Sequence, residues 1–471
     1  MTLTLTALPR AVPQPAGAAF GDVQRLVLCG TRWRAARHLC LGFGDRADAL
    51  RFLHALLRDE RLRPSRCDAP AAPPHQASLG FTRRGLERSR VLPHVLSCFA
   101  AKAPAFFAGA PQRAASHAAA SGRDAPAHWD AGFAFMRLDA VLSLHALHDD
   151  ALAAPAQAVR ALAGRHGVQV GAEIEAKSLP GQRVHFGYRD GLARIGIEGL
   201  TDAKTMAALK PTSKHAAGEF VLGHAQDSGA NPWLSGPADR VWPAELRAFF
   251  HNGSFGVLQH IEQDVTGFED FVARAAAAAG ESADWVKGKL CGRAPNGRPL
   301  AAGDGARPLA DFDYSADPEG HRCPFGSHVR RMNPRGDVIA HARSRPLLRR
   351  GMAYGQPWSR ERPEGDRGLI GQFFCASIED QYEHLLAQWG DRVPMGSRDG
   401  GGARDPLIGA HEAGDGGFEI PRPAPGQPLM LRGLAPFTRT RGIAYLFYPS
   451  LTALVQMADN RAFADLREDP E

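Results

Sequence analysis

The chain has 471 residues, 44% hydrophobic and 23% charged, which is too long for one ordinary compact domain and too apolar for a disordered segment, so two domains are expected. Its 56 basic and 50 acidic residues give a net charge of +6 without any long basic block, and helix-turn-helix, zinc-finger and RNA-recognition signatures are missing, which leaves nucleic-acid binding unsupported. The seven cysteines (Cys29, Cys40, Cys67, Cys98, Cys291, Cys323, Cys375) are too scattered for a disulfide framework, the opening MTLTLTALPRA lacks a basic leader region, and no apolar run reaches the roughly 18 residues that span a bilayer; a cytoplasmic setting is expected.

In chain order, VQRLVLC at 23–29 reads as a strand. Ala47, Leu50, Phe52, Leu53, Leu56 and Leu57 then make a helical apolar stripe. Small side chains and poor periodicity make Gly109 to His128 an excursion from the core. A second strand and helix are predicted at SFGVLQHI, 254–261, and VTGFEDFVARAAAAA, 265–279, repeating the architecture but not the sequence. SIEDQYEHLLAQW, 377–389, aligns Ile378, Tyr382, Leu385 and Trp389 on one helical side behind a Ser377 cap, and AYLFYPS, 444–450, is a further strand. Amphipathic helices and partly covered strands bury each other in two layers, an α+β architecture. An α/β barrel is disfavoured by long irregular connections and the lack of evenly spaced repeats.

The densest chemistry lies in HRCPFGSHVRRMNPR, 321–335, with two histidines, a cysteine and four arginines around a Pro-Gly turn. Such a segment invites a metal. Taken singly, His328 reads as a satisfied histidine beside a basic surface, Asp190 as a turn residue before Gly191, and Arg349 as a surface cation. Cys323 offers a rival thiolate metal ligand, and His321, Cys323 and His328 offer part of a zinc site, although a closed site needs four ligands.

Three motifs change this reading by occurring together and in order. HFGYRDG at 185–191, RCPFGSHVRRMNPR at 322–335 and LLRRGMAYG at 347–355 resemble the dye-decolourising peroxidases, and further similarity at GEFVLGH, 218–224, NGSFGVLQHIEQDVTGFEDF, 252–271, DWVKGKLCGR, 284–293, and GIAYLFYPSL, 442–451, extends the resemblance over nearly the whole chain. The resemblance implies two ferredoxin-like antiparallel sheet-and-helix domains packed together, of the dimeric α+β barrel-like superfamily. On that reading residues 1–215 carry the distal aspartate motif and 216–471 the proximal histidine and distal arginine. It implies a haem b cofactor with iron on His328, Arg335 near a propionate and Phe374 beside the distal pocket. Asp190 and Arg349 become the catalytic pair, with Arg350 the adjacent alternative. The implied reaction reduces hydrogen peroxide and oxidises small aromatic or dye-like donors through a ferryl porphyrin radical, without nucleic-acid or membrane partners, in a homodimer. The alternative is a haem-binding transport, storage or sensing protein with little turnover.

Two departures from the family pattern stand out. LARIGIEG follows Gly191 where relatives continue with an Ile-Ser-Gln-Pro-like stretch, and Gly371 and Gln372 interrupt the apolar run of RGLIGQFFCASI, 367–378, leaving Phe373 and Phe374 as distal-pocket candidates. His185, Arg189, Arg330 and Arg331 are further candidates to line the site, and Tyr354, Tyr382, Trp358 and Trp389 to relay electrons; as packing aromatics the last four need no such role.

Overall fold

The computed structural model describes residues 19–459 apart from 30–32, 68–73, 90, 115–121, 134–136, 193, 235–241, 304–310, 338–343, 392–403, 412–413, 415 and 424. The spine is a nine-stranded antiparallel sheet. The first half of the chain supplies β1 (Ala35–Phe43), β2 (His75–Phe81), β3 (Ala140–Ala146) and β4 (Val168–Lys177), and the second half supplies β5 (Ser254–Gln263), β6 (Leu348–Arg349), β7 (Met352–Tyr354), β8 (Gly368–Cys375) and β9 (Thr438–Tyr448). Their spatial order is β4-β1-β3-β2-β9-β5-β8-β6, with β7 also beside β8. The two halves meet at β2 and β9, in register only at Phe81 and Phe447.

Alternation along the strands explains the two cores, because successive side chains face opposite sides. On β1, Leu39 and Leu41 face a core closed by helices α1 (Arg46–Arg58), α2 (Asp150–Arg165) and, near the C-terminus, Leu451–Asp459, through Phe52, Leu53, Leu152, Val159 and Leu454. Ala36 and Cys40 face the other core with Leu348, Ile370, Phe374 and Tyr448. α1 starts at a reciprocal cap between Asp45 and Asp48 and buries Phe52, Leu53 and Leu56, so Leu53→Ala would cost about 2–5 kcal/mol. A third cluster joins α3 (Val265–Ala279) and α4 (Ala283–Cys291) to the hairpin Gly416–Ile420 and Leu429–Leu434, and takes in Phe186 and Tyr188 of the 185–191 motif.

Most predicted elements form. The expected strand at 23–29 does not: its centre is the short helix Arg25–Leu28, fixed by Arg25 N–H donating to Ser65 O at 2.7 Å, and the sheet begins at Ala35. Tertiary packing of Leu26, Val27 and Leu28 overrides their β propensity. The helix at 377–389 forms behind the Ser377 cap but is wound as π-helical turns, Ile378–Glu383 and Leu385–Gly390, and still buries Ile378, Tyr382 and Leu385. The strand predicted at 444–450 extends back to Thr438. Of the stretch from Gly109 to His128, residues 115–121 lie outside the described residues; the rest forms a short helix and tight turns.

Candidate active site

His328 is the first residue of α5 (His328–Met332), which enters through the Pro324–Ser327 turn and is tied to α4 by Ser327 Oγ donating to Lys289 O at 2.6 Å. The imidazole Nδ1 donates to Asp405 Oδ2 at 2.9 Å. Asp405 is fully buried, and its other carboxylate oxygen accepts the N–H groups of Leu407 and Ile408 at 2.9 and 3.1 Å. Burial alone would raise the Asp405 pKa; the His328 charge and hydrogen bond, Arg331 and the Leu407 N–H hold it below the usual carboxylate value. The His328 side chain keeps 24% of its surface exposed, and Nε2 has no hydrogen-bond partner among the described residues.

Arg330 and Arg331 turn out to be structural. Arg330 is sealed between Tyr314 and Phe325 and bonds Asp337 at 2.5 Å, Asp317 at 3.3 Å and Cys323 O at 2.6 Å, while Arg331 donates to Trp389 O at 2.6 Å. Breaking so buried a charge pair costs about 3–5 kcal/mol, so Arg330 holds α5 in place.

A second group of arginines is assembled around Phe312. Arg335 adopts a left-handed backbone (φ 44°) ahead of Gly336 (φ 74°), an uncommon conformation for a side-chain-bearing residue. It lies over the Phe312 ring with Arg293, at 4.5 and 4.8 Å from the ring centre. Burial, then the Arg335 charge, pushes Arg293 down to about 10; burial also lowers Arg335, and Arg349 lowers both. Arg335 Nε is buried without a partner, and among the described residues neither Arg335 nor Arg349 has a carboxylate within ion-pair distance. Arg349 is exposed at the end of β6, opposite Phe373 of β8. Burial pushes the Cys291 thiol up to about 11.

Asp190 lies on an exposed turn. Its N–H donates to Gln182 O at 2.7 Å, Gly187 and Gly191 supply positive φ on either side, and its exposed carboxylate has no partner among the described residues. Arg189 N–H donates to Pro295 O at 3.0 Å, docking this turn on the loop whose Gly297 O accepts from Arg293. His185 Nε2 donates to Tyr354 O at 2.7 Å, joining the first motif to the third, and its buried Nδ1 has no partner among the described residues. The structure gives no direct contact between Asp190 and Arg349. Phe374 pairs with Leu348, packs on Tyr448 at 4.9 Å and occupies the core face away from Arg349. Its neighbour Phe373 shares the Arg349 face, its ring lying so close over Gly371 that a Cβ there would meet it at 2.6 Å. Arg350 turns away to the carbonyls of Leu26 and Val27.

No family model matches the sequence. A multifunctional dye peroxidase of an Amycolatopsis species is 29% identical over 464 aligned residues, 88% of this chain and 91% of that protein, and a dye-decolorizing peroxidase of Mycetinis scorodonius is 27% identical over 60% of this chain and 58% of that protein. Along most of its length the chain is similar to dye-decolourising peroxidases. Solved structures of the family share the fold: a dye-decolorizing peroxidase in complex with cyanide superposes with a TM-score of 0.75 at 20% identity over 96% of this chain and all of that one, and the enzyme of Auricularia auricula-judae with 0.75 at 19% over 93% and 99%.

The residues present fit a haem. An axial ligand needs one imidazole nitrogen fixed by an acceptor and the other open, as His328 shows, and a buried guanidinium group with no carboxylate, as Arg335 shows, calls for the anionic groups that a haem carries. Cys323 does not fit the ligand role: it is fully buried and burial pushes its thiol up to about 12. No cluster of three metal-ligating side chains exists among the described residues, so zinc at His321, Cys323 and His328 has no support. Sequence reasoning missed Asp405 and Arg293. Asp405 lies 77 residues beyond its partner, with only the Asp-Pro step after a Gly-rich run to mark it, and Arg293 closes the DWVKGKLCGR similarity without any local sign of its role.

Proposed function

We propose that this chain is a haem peroxidase that reduces hydrogen peroxide and oxidises aromatic or dye-like donors, with His328 as axial ligand and Asp190 and Arg349 as its acid-base and charge-stabilising groups. The observation that carries the proposal is the His328–Asp405 pair with Nε2 left open. Bound haem b would supply an iron that takes up peroxide and stores the oxidising equivalents that donors later remove. Asp405 keeps the proton on His328 Nδ1 and makes the opposite nitrogen a stronger electron donor. Arg335, with Arg293, supplies guanidinium N–H groups for the haem carboxylates. A carboxylate oxygen of Asp190 takes a proton from peroxide and returns it to the departing oxygen as water. Arg349 orients peroxide and offsets the negative charge that develops as the oxygen–oxygen bond breaks. Phe374 backs the strand that carries Arg349's neighbour, from its core face.

Beside the Asp190 turn lies a cavity of about 460 Å³ lined by Arg34, Arg183, Arg189 and Asn296. Its basic lining favours anionic aromatic donors. No helix among the described residues is long and apolar enough to cross a membrane. A cytoplasmic location, a homodimer, and two ferredoxin-like units divided near residue 215 belong to the same proposal. Purification with added haem, followed by an absorption spectrum and a peroxide titration with a dye donor, tests it: a histidine-type haem spectrum and peroxide-dependent dye oxidation are expected. Haem binding without turnover would favour the transport or sensing alternative, and folded protein that binds no haem would overturn both.

A further inference from the structure

Two cysteines far apart in sequence meet outside the haem site. Cys29 ends the short helix Arg25–Leu28, and Cys67 lies in the connection before β2; Arg25 N–H to Ser65 O at 2.7 Å and Cys67 N–H to Val23 O at 3.1 Å lace these segments together. Their sulfurs are 3.1 Å apart in a thiol–thiol hydrogen bond. Two guanidinium groups converge on them. Arg25 donates to Cys67 O at 3.4 Å, and Arg350 reaches in from the sheet edge to Leu26 O at 3.0 Å and Val27 O at 3.1 Å. Desolvation pushes Arg350 down to about 10, and among the described residues it has no carboxylate partner, so the two sulfurs are the acidic groups facing it.

The other five thiols are built differently. Burial raises every one of them: Cys40 to about 12, Cys291 to about 11, Cys323 to about 12, and Cys98 and Cys375 also upward. Cys29 moves down instead, to about 7, because the Cys67 hydrogen bond outweighs burial and the charges of Arg25 and Arg350 add to it. Cys29 is half-buried, and so is Cys98, which makes the latter a matched control.

We propose that Cys29 and Cys67 form a dithiol that hydrogen peroxide converts to a disulfide, a redox site separate from the haem site. The Cys29 thiolate attacks one peroxide oxygen, the oxygen–oxygen bond breaks, and the leaving hydroxide takes a proton to become water, leaving Cys29 as a sulfenic acid. The Cys67 sulfur then attacks the Cys29 sulfur, a sulfur–sulfur bond forms, and the sulfur–oxygen bond breaks with loss of a second water. Two thiols are oxidised by two electrons and one peroxide is reduced. The 3.1 Å separation has to close by only about 1 Å to reach a disulfide bond. Closure would clamp the helix to the connection and remove the thiolate that faces Arg350.

The test is residue-resolved mass spectrometry on the purified protein, without any donor. At pH 7, iodoacetamide should label Cys29 at least about fivefold faster than Cys98, since its larger thiolate fraction outweighs the weaker nucleophilicity of a low-pKa thiolate. A tenfold excess of peroxide should yield a linked Cys29–Cys67 peptide. In Cys67→Ser the link should vanish and dimedone should tag Cys29 as the sulfenic acid, whereas Cys29→Ser should give neither product. Labelling of Cys29 no faster than Cys98, or an unlinked pair while residual peroxide is still measurable, would overturn the proposal. Neither readout needs dye turnover, so failure here is distinguishable from failure of the haem assignment.

Discussion

His328 and the pair His38 and His145 show two fates of a histidine in one fold. His38 and His145 sit inside the first half of the sheet, 2% and 1% exposed, with rings 5.6 Å apart; among the described residues His38 has Ser143 Oγ at 2.8 Å, and neither nitrogen of His145 has a hydrogen-bond partner. Burial holds His38 at about 4 and His145 well below its ordinary value, the latter aided by the charges of His38 and Arg350. They are neutral packing groups. His328 has less burial and a better acceptor: Asp405 fixes one nitrogen and leaves the other open. The lesson is that a carboxylate at one nitrogen and an unbonded second nitrogen suit a histidine to ligation, whereas burial alone suits it to the core.

The largest effect that could break this comparison is His328→Ala. Haem affinity should fall by more than the about 100-fold expected for losing an outer partner, while His145→Leu should leave haem occupancy unchanged; titrating haem into both variants decides it. Next comes Arg349→Leu, expected to slow single-turnover peroxide consumption by about 100- to 1,000-fold at matched haem occupancy, across the pH range. Asp190→Asn should cost about 100-fold, the lower end of acid-base contributions, because its exposed carboxylate sits where water can substitute. Parent rates in both single variants would remove both distal assignments. Asp405→Asn keeps the shape but weakens the acceptor, so haem affinity should drop by about 10- to 100-fold, measured by haem transfer to a stronger acceptor protein.

The smallest effect is a pH slope. Burial holds His38 at about 4 in the folded protein against an ordinary 6.5, and His145 is lowered as well. Below 6.5 the unfolded chain takes up protons that the folded chain refuses, so stability that is full above pH 6.5 is lost as pH falls toward 4, by up to about 1.4 kcal/mol per pH unit for each histidine. Urea unfolding at pH 7, 6 and 5 should show that loss, and His145→Leu should flatten it.

Much of this was legible in the sequence because it is local. The helix over 265–279 has its own apolar period and forms from Val265 to Ala279, and the CPFGSH and RRGMAYG segments mark His328 and Arg349 by their order. What escaped depends on distance or competition. The Asp405 acceptor and the Arg293 neighbour come from separate segments, and no period links them to His328 or Arg335. Arg25–Leu28 reads as a strand by composition and becomes a helix because the core takes Leu26, Val27 and Leu28 from that direction. Strand β1 was missed because AARHLCLGF mixes Arg37 and His38 into an otherwise apolar run, and it is neighbours on both sides, β3 and β4, that make it a strand. Phe374 and Phe373 are indistinguishable in sequence, and only the β6–β8 register assigns them to opposite faces.

The most direct test of the central claim, that His328 held by Asp405 is the axial haem ligand of a peroxidase, is rescue of His328→Gly by free imidazole. The account predicts that the variant loses the parent absorption spectrum and peroxide-dependent dye oxidation, and that imidazole in solution restores both by filling the vacated ring position. A variant that keeps the parent spectrum and activity with no imidazole added would contradict it.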